Sequence, residues 1–288
     1  MYVLKQSICH PGFGARANED AVGYGRDYCF VMDGASCLSG KNVVDPVSDA
    51  AWMAEKVRDG LCALLDAGDP RPTGELLRQV IAPVREMYIR ALQEKGVDAP
   101  EDSPSAGFAL FRQRNGKMEF FGLGDCVGTA ELPGAGSFCS LDTVLPGLDQ
   151  QVLDRMHALH QETGISMQEA KKACTDMLIH NRNLRNKPGG YWILDLLSDD
   201  GIENAREETW DLTESVRVGA FSDGFSQLTD VFGAYKDYDA LFEAMQENDL
   251  EEMFRRLCDL QDADGDCVKH PRFKRRDDTC ALWGIFQP

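Results

Sequence analysis

Residues 16–36 read RANEDAVGYGRDYCFVMDGAS. Asn18, Glu19 and Asp20 lie between small residues and a glycine turn, and the apolar run Tyr28–Met32 that follows ends on a third carboxylate, Asp33, beside Gly34. A short run of strand formers that stops at Asp-Gly predicts a core strand presenting its carboxylate at a rigid end, with the glycine leaving room beside it. The pattern recurs further along. EFFGLGDC brings Asp125, VGAFSDGF brings Asp223, and RRDDTCAL sets Asp277 and Asp278 at the start of the final strand. One Asp-Gly alone is usually a turn. Four such placements in order, with Glu19 and Asp20 besides, predict carboxylates that converge. Converging carboxylates repel unless protons or cations neutralise them, and an oxygen-only donor set suits Mg²⁺ or Mn²⁺.

Around these strand ends the chain alternates in character. Tyr2–Cys9 has strand composition; from Pro46 the spacing of Ala50, Ala54, Val57, Leu61, Leu64 and Leu65 predicts a helix closed by Gly68. A second helix is expected from Thr73 to Gly96, kinked at Pro83. The stretch DAPEDSP at 98–104 reads as a loop, followed by the strand runs AGFALFRQ, KMEFFGLGD, CVGTAEL and SFCSL, with a hairpin turn at RNG, 114–116. Helical spacing returns from about Leu148 to Asn186. After it come the strands YWIL and VRVGAFSDG, a helix from Tyr238 to Leu260, and DDTCALWGIF as the last strand. Hairpin-linked strands in blocks separated by helices predict an α+β fold rather than a doubly wound parallel sheet. With no repeat, low-complexity tract or linker, residues 1–288 read as one domain carrying a helical insertion at about 142–190.

The 288 residues are 43% hydrophobic, enough for a full core, and carry a net charge of −18. That charge opposes nucleic acid and anionic membrane as partners. Ten cysteines without a CxxC pair fit neither a disulfide scaffold nor a zinc site. The opening residues lack a signal-peptide pattern, and no run of about 18 apolar residues occurs. The expectation is a cytoplasmic, monomeric protein with reduced thiols.

The ordered set RANED, VMDGAS, GLGDC, AFSDG and RRDDTCAL resembles the motif series of the type 2C metal-dependent serine/threonine protein phosphatases, and it spans nearly the whole chain. The resemblance implies a four-layer sandwich, two antiparallel sheets between helical layers, with a two-metal centre at one end. It implies that Asp33 bridges two Mn²⁺ or Mg²⁺ ions, that Glu19 and the Gly34 carbonyl complete one site and Asp223 and Asp277 the other, and that Asp20 holds water. Asp125 with Asp223 matches a third, weaker site. A metal-bridging hydroxide would then attack the phosphorus of phosphoserine or phosphothreonine in a protein substrate, while an arginine neutralises the phosphoryl oxygens.

The departures from the motifs are specific. The phosphate-binding arginine of many relatives lies four residues before the metal-binding glutamate, where Ala15 stands here; Arg16, three before Glu19, is the candidate. The eukaryotic DGHGG reads DGASC, and Ala35 cannot donate a proton as that histidine is proposed to do. Cys280 stands where relatives have serine or threonine. Among the remaining residues, Arg182, Arg185 and Lys187, in a basic stretch of the insertion, are candidates to grip a phosphopeptide, against the alternative of a solvated helix face. The run KHPRFKRR at 269–276, directly before Asp277, favours ordinary loop solvation over offsetting the carboxylate cluster or contacting substrate, DADGD at 262–266 reads as a turn rather than a calcium loop, and Trp192 reads as core. Two rival functions remain: a non-catalytic phosphoprotein-binding module of the same fold, and a metallophosphatase acting on a small molecule.

Overall fold

The computed structural model describes residues 1–38, 40–97 and 103–288. The N-terminal part runs β1 (Tyr2–His10), β2 (Asp20–Tyr24), β3 (Tyr28–Ala35), α1 (Asp49–Asp66) and α2 (Thr73–Glu94). Then come β4 (Ser105–Arg114), β5 (Lys117–Leu123), β6 (Val127–Leu132) and β7 (Gly136–Cys139), followed by α3 (Val144–Thr163), α4 (Met167–Ala173) and α5 (Thr175–Arg182). The chain closes with β8 (Leu194–Asp195), α6 (Asp200–Glu203), β9 (Arg206–Asp211), β10 (Val216–Phe221), α7 (Asp223–Asp230), α8 (Tyr238–Glu247), α9 (Leu250–Ala263) and β11 (Thr279–Phe286).

The strands form two antiparallel sheets, ordered β1-β11-β10-β6-β7 and β2-β3-β4-β5-β9, with β8 paired to the start of β4. Side chains alternate across a strand, and β3 shows what that does. Cys29 and Val31 enter the core between the sheets with Phe111, Phe120, Val218, Leu282 and Phe286, whereas Tyr28, Phe30 and Met32 face α1 and α2. On the other sheet Phe221, Ala281 and Trp283 face α7, α8 and α9. The result is an α+β architecture with a two-sheet interior and a helical layer on each outer face.

Most of the expected elements are present, and the exceptions have local causes. α2 runs unbroken through Pro83. The helix expected over 238–260 is two helices, because Asn248 is extended and Asp249 caps α9 by accepting a hydrogen bond from the Glu252 N–H. β10 ends at Phe221, two residues short of the expected strand's carboxylate, and Asp223 begins α7 instead. Of YWIL, Leu194 joins β8, while Tyr191 makes only an isolated bridge to Arg185. β9, REETWD, carries no expected signal because it is an exposed, charged edge strand. Of the loop expected at 98–104, residues 98–102 lie outside the described residues. No described helix is long and apolar enough to cross a membrane.

The helical stretch between β7 and β8 has a small core of its own, in which Val152, Met156, Met167, Ala170 and Cys174 pack with Cys267. Its α4 begins with a capping box, Ser166 and Glu169 each bonding the other's backbone N–H.

Candidate active site

Asp33 continues the Cys29–Val31 series of inward-facing positions, so the strand that builds the inter-sheet core also points this carboxylate between the sheets at their open end. Its cross-strand partners are Asp20 on β2 and Gly107 on β4. A side chain at Gly107 would meet the Asp125 carboxylate at 3.0 Å and the Cys126 sulfur at 3.2 Å, so the glycine makes the space into which Asp125 reaches. On the opposite sheet, Asp223 sits in the first turn of α7, where an acid is favoured by the helix dipole, and its backbone N–H lies 3.4 Å from Asp33 Oδ2.

The loop from Gly12 to Glu19 is held by the last of the paired acids. Asp278, buried, accepts the Gly12 N–H at 2.6 Å on one oxygen and the Glu19 N–H at 3.0 Å on the other. The Glu19 carboxylate accepts from the Ser48 hydroxyl at 2.6 Å and from the Ser36 hydroxyl. Gly34 donates its N–H to the Glu19 carbonyl at 3.1 Å, and a side chain at position 34 would lie 2.4 Å from that oxygen. Only glycine permits this approach.

These elements enclose a cleft of about 900 Å³ whose lining includes Arg16, Glu19, Asp33, Gly34, Asp125, Asp223 and Asp277. Asp20 is not part of the lining. It is buried behind the floor. Burial, offset in part by the Ser222 hydroxyl and reinforced by Asp223 and Asp277, holds its carboxyl well above the usual range. Burial does the same to Asp33, with Asp223, Asp20 and Asp125 adding repulsion, and to Asp125, with Asp223 adding repulsion. Asp223 is pushed up to about 6, by burial first and Asp277 second. Cys126 and Cys280 lie buried nearby, and burial raises both thiols well above their ordinary range, which removes thiolate chemistry from the floor.

One contributor carries no signal in the sequence, and a second takes the less favoured of its sequence alternatives. Asp149, on α3, lines the cleft, and burial together with Asp223 pushes it up to about 7 against the opposing effect of Arg182 and Lys171. A single aspartate in a helical repeat carries no signal in sequence. The run at 269–276, expected to be solvated, instead forms one wall. Arg272 is buried in an ion pair with Asp264 at 2.8 Å, so DADGD supplies an anchor, while Lys274, Arg275 and Arg276 line the cleft. Lys274 donates to Asp277, and the Arg275 guanidinium stacks 4.2 Å from the Phe13 ring.

Of the three residues proposed to grip substrate, Arg182 lines the cleft and the other two do not. Arg185 is turned inward to Asp195 at 2.9 Å and to the Ser103 carbonyl at 2.9 Å, with a side chain only 11% exposed. Its reading as a substrate contact is corrected to a structural ion pair that ties the helical stretch to β8. Lys187 is exposed, away from the cleft lining. Lys171 and Lys172 on α4 stand in the lining instead. Trp192 packs against the core between β-sheet and α1–α2, as expected.

The floor suits a divalent cation in its chemistry. Its donors are the carboxylate oxygens of Glu19, Asp33, Asp125, Asp223 and Asp277, and an ammonium, that of Lys274, already stands on Asp277. Among the described residues no three acid, histidine or cysteine side chains form a ready-made cage. Mg²⁺ in particular keeps several waters and takes only one or two carboxylates, so an open floor of dispersed carboxylates is compatible with it.

No protein-family model matches the sequence, and no curated protein is similar to it at the sequence level. Solved structures are similar over the whole chain. The serine/threonine phosphatase PstP/Ppp of Mycobacterium tuberculosis superposes with a TM-score of 0.58 at 14% identity, covering 100% of both chains. PppA, a regulatory component of the type VI secretion system in Pseudomonas aeruginosa, gives 0.55 at 15% identity over 99% of this chain and 96% of its own. The catalytic domain of PstP, solved with two manganese ions, gives 0.53 at 16% identity over 99% and 98%. At such identities the likeness speaks for the fold: this chain has the bacterial type 2C (PPM) phosphatase fold, two antiparallel sheets flanked by helices.

Proposed function

We propose that this chain is a divalent-metal-dependent phosphatase that hydrolyses phosphoserine and phosphothreonine in proteins, and that residues 1–288 form one catalytic domain. The observation that carries the reading is the assembly of Glu19, Asp33, Asp125, Asp223 and Asp277, from five segments spread along the chain, around one cleft at the end of the sheet sandwich. The pairing of β1 with β11 supports the single-domain reading, since the two ends of the chain share one sheet.

Asp33, Glu19 and the Gly34 carbonyl would hold one Mn²⁺ or Mg²⁺ ion, Asp33, Asp223 and Asp277 a second, and Asp125 with Asp223 a weaker third. When bound, the ions supply Lewis acidity and a nucleophile made from water at neutral pH. The chain's own residues do the rest. Asp278 and the hydroxyls of Ser36 and Ser48 fix Glu19. Asp20, behind the floor, orients water. Arg16, exposed at the cleft mouth, has a guanidinium free to meet phosphoryl oxygens bidentately. Lys172 and Arg182, on the opposite wall, meet the flanks of a phosphopeptide. Basic residues at the rim of a chain of net charge −18 favour an anionic substrate locally while the rest of the surface repels it.

Chelated protein should leave p-nitrophenyl phosphate and a phosphothreonine peptide intact, and Mn²⁺ or Mg²⁺ should restore hydrolysis of both. Asp33→Asn should remove the restored activity by about a thousandfold or more. Full turnover after exhaustive chelation would overturn the metal-dependent reading, and phosphopeptide binding without turnover under every divalent ion would favour the binding-module reading.

A further inference from the structure

The wall at 272–276 places a cation at the carboxylate floor. Arg272 is locked into Asp264 and into the carbonyls of Gln261, Asp264 and His270. One residue on, the Phe273 carbonyl accepts from Lys171 Nζ at 3.2 Å, which ties the wall to α4 across the cleft. On its other side the Arg275 carbonyl accepts from Arg272 Nε at 3.1 Å, so Lys274 extends from a backbone pinned before and after it. Its ammonium stands on the Asp277 carboxylate, and its side chain is 51% exposed, against 20% for Asp277. Lys274, Asp277, Asp223 and Asp33 line the same cleft, so the ammonium stands among the three carboxylates that the proposed function assigns to divalent ions.

We propose that Lys274 is a tethered counter-ion of the metal centre: it occupies the Asp277 side of the floor in the metal-free protein and competes with the divalent ion assigned there. This inference rests on the metal-dependent reading above and adds a term to it. An ammonium can satisfy one carboxylate at a time and is half in water, so its hold is modest. A divalent ion that takes Asp277 must displace it and must also approach against its charge, and both effects weaken metal binding. In exchange, the protein without metal is spared part of the repulsion among Asp33, Asp223 and Asp277. The released ammonium remains on the cleft wall.

The test is calorimetric titration of Mn²⁺ into the chelated full chain, beside thermal melts of the same samples. Lys274→Met and Lys274→Gln remove the charge and keep most of the stem, while Lys274→Arg keeps the charge. The neutral variants are expected to bind Mn²⁺ about tenfold more tightly than the wild type, to melt lower without metal, and to gain more from Mn²⁺; the arginine variant should stay within about threefold of the wild type. The melts show directly that each variant is folded. If both neutral variants bind Mn²⁺ with wild-type affinity or more weakly, the counter-ion role is overturned while the metal-dependent reading stands. If the wild type and all variants take up no Mn²⁺, the metal reading and this inference fall together.

Discussion

Asp223→Asn should stabilise the metal-free protein, the reverse of what damage to a buried site ordinarily does. The Asp223 carboxyl is raised from an ordinary 3.8 to about 6 by burial and by Asp277. Each tenfold in proton affinity is worth about 1.4 kcal/mol, so keeping this group ionised in the fold costs about 3 kcal/mol at neutral pH. Because the carboxyl holds its proton more tightly folded than unfolded, its contribution is fully favourable below about pH 4 and is lost as pH rises through about 6. Asparagine keeps the size and one acceptor oxygen without the charge. In chelator, the variant should therefore exceed the wild type by up to about 3 kcal/mol at pH 7.5 and match it near pH 4. At about 2–4 °C per kcal/mol for a chain of this size class, the melting temperature should rise by several degrees. Urea unfolding and thermal melts across pH 4 to 8 read both quantities, and a Mn²⁺ titration adds a third. The wild type should recover stability on binding the ion, by about 2.7 kcal/mol at a hundredfold excess over Kd, and the variant should recover less. A variant that melts below the wild type at pH 7.5, or that keeps the wild-type slope with pH, would show that Asp223 carries no repulsive load.

Asp278→Asn should cost about 1–3 kcal/mol, because each carboxylate oxygen receives a different backbone N–H and an amide group would face one of those donors with another; unchanged urea stability would remove the clamp on Glu19. Arg185→Gln should destabilise by about 1–3 kcal/mol, since Asp195 loses its ion pair but keeps the Ser103 hydroxyl and the Leu197 N–H, while leaving the phosphopeptide KM of the folded enzyme at its wild-type value. A raised KM at full stability would instead return Arg185 to substrate contact. Arg16→Ala should raise KM for p-nitrophenyl phosphate and phosphopeptide alike, with kcat nearly constant; if neither parameter moves, another cation holds the phosphate. Replacing Lys172 and Arg182 with Gln together should weaken turnover of the phosphopeptide and spare p-nitrophenyl phosphate, which has no flanking residues, and equal effects on both would place these side chains in solvent.

The fold class was legible because its evidence is local. Strands that alternate between two cores, such as Tyr28–Met32, and helices with an apolar face, such as Thr73–Glu94, write their burial into residue spacing. The candidate carboxylates were legible for a related reason: each stands at the end of such a strand or helix, marked by a glycine or a second acid. Elements without an internal pattern were not. β9 is stabilised by pairing with β5 and leaves no period in the sequence, while α7, whose Phe225 and Leu228 pack on the sheet, is only eight residues long, too short for its spacing to stand out beside the strand before it.

Sequence alone determined which residue types are present for the chemistry and the order in which rigid elements deliver them, since backbone preference and apolar spacing act over a few residues. It could not decide which cations meet which anions. Arg182 and Arg185 are three residues apart in one basic stretch, yet one lines the cleft and the other is buried against Asp195. Lys274, unremarkable in a charged run, stands on Asp277 because Arg272 is anchored eight residues back at Asp264. Asp149 joins the cluster only because α3 folds over the sheet ends. Charge interactions depend on distance and on exclusion of water, and both are set by how remote segments pack; only the tertiary structure assigns the partners.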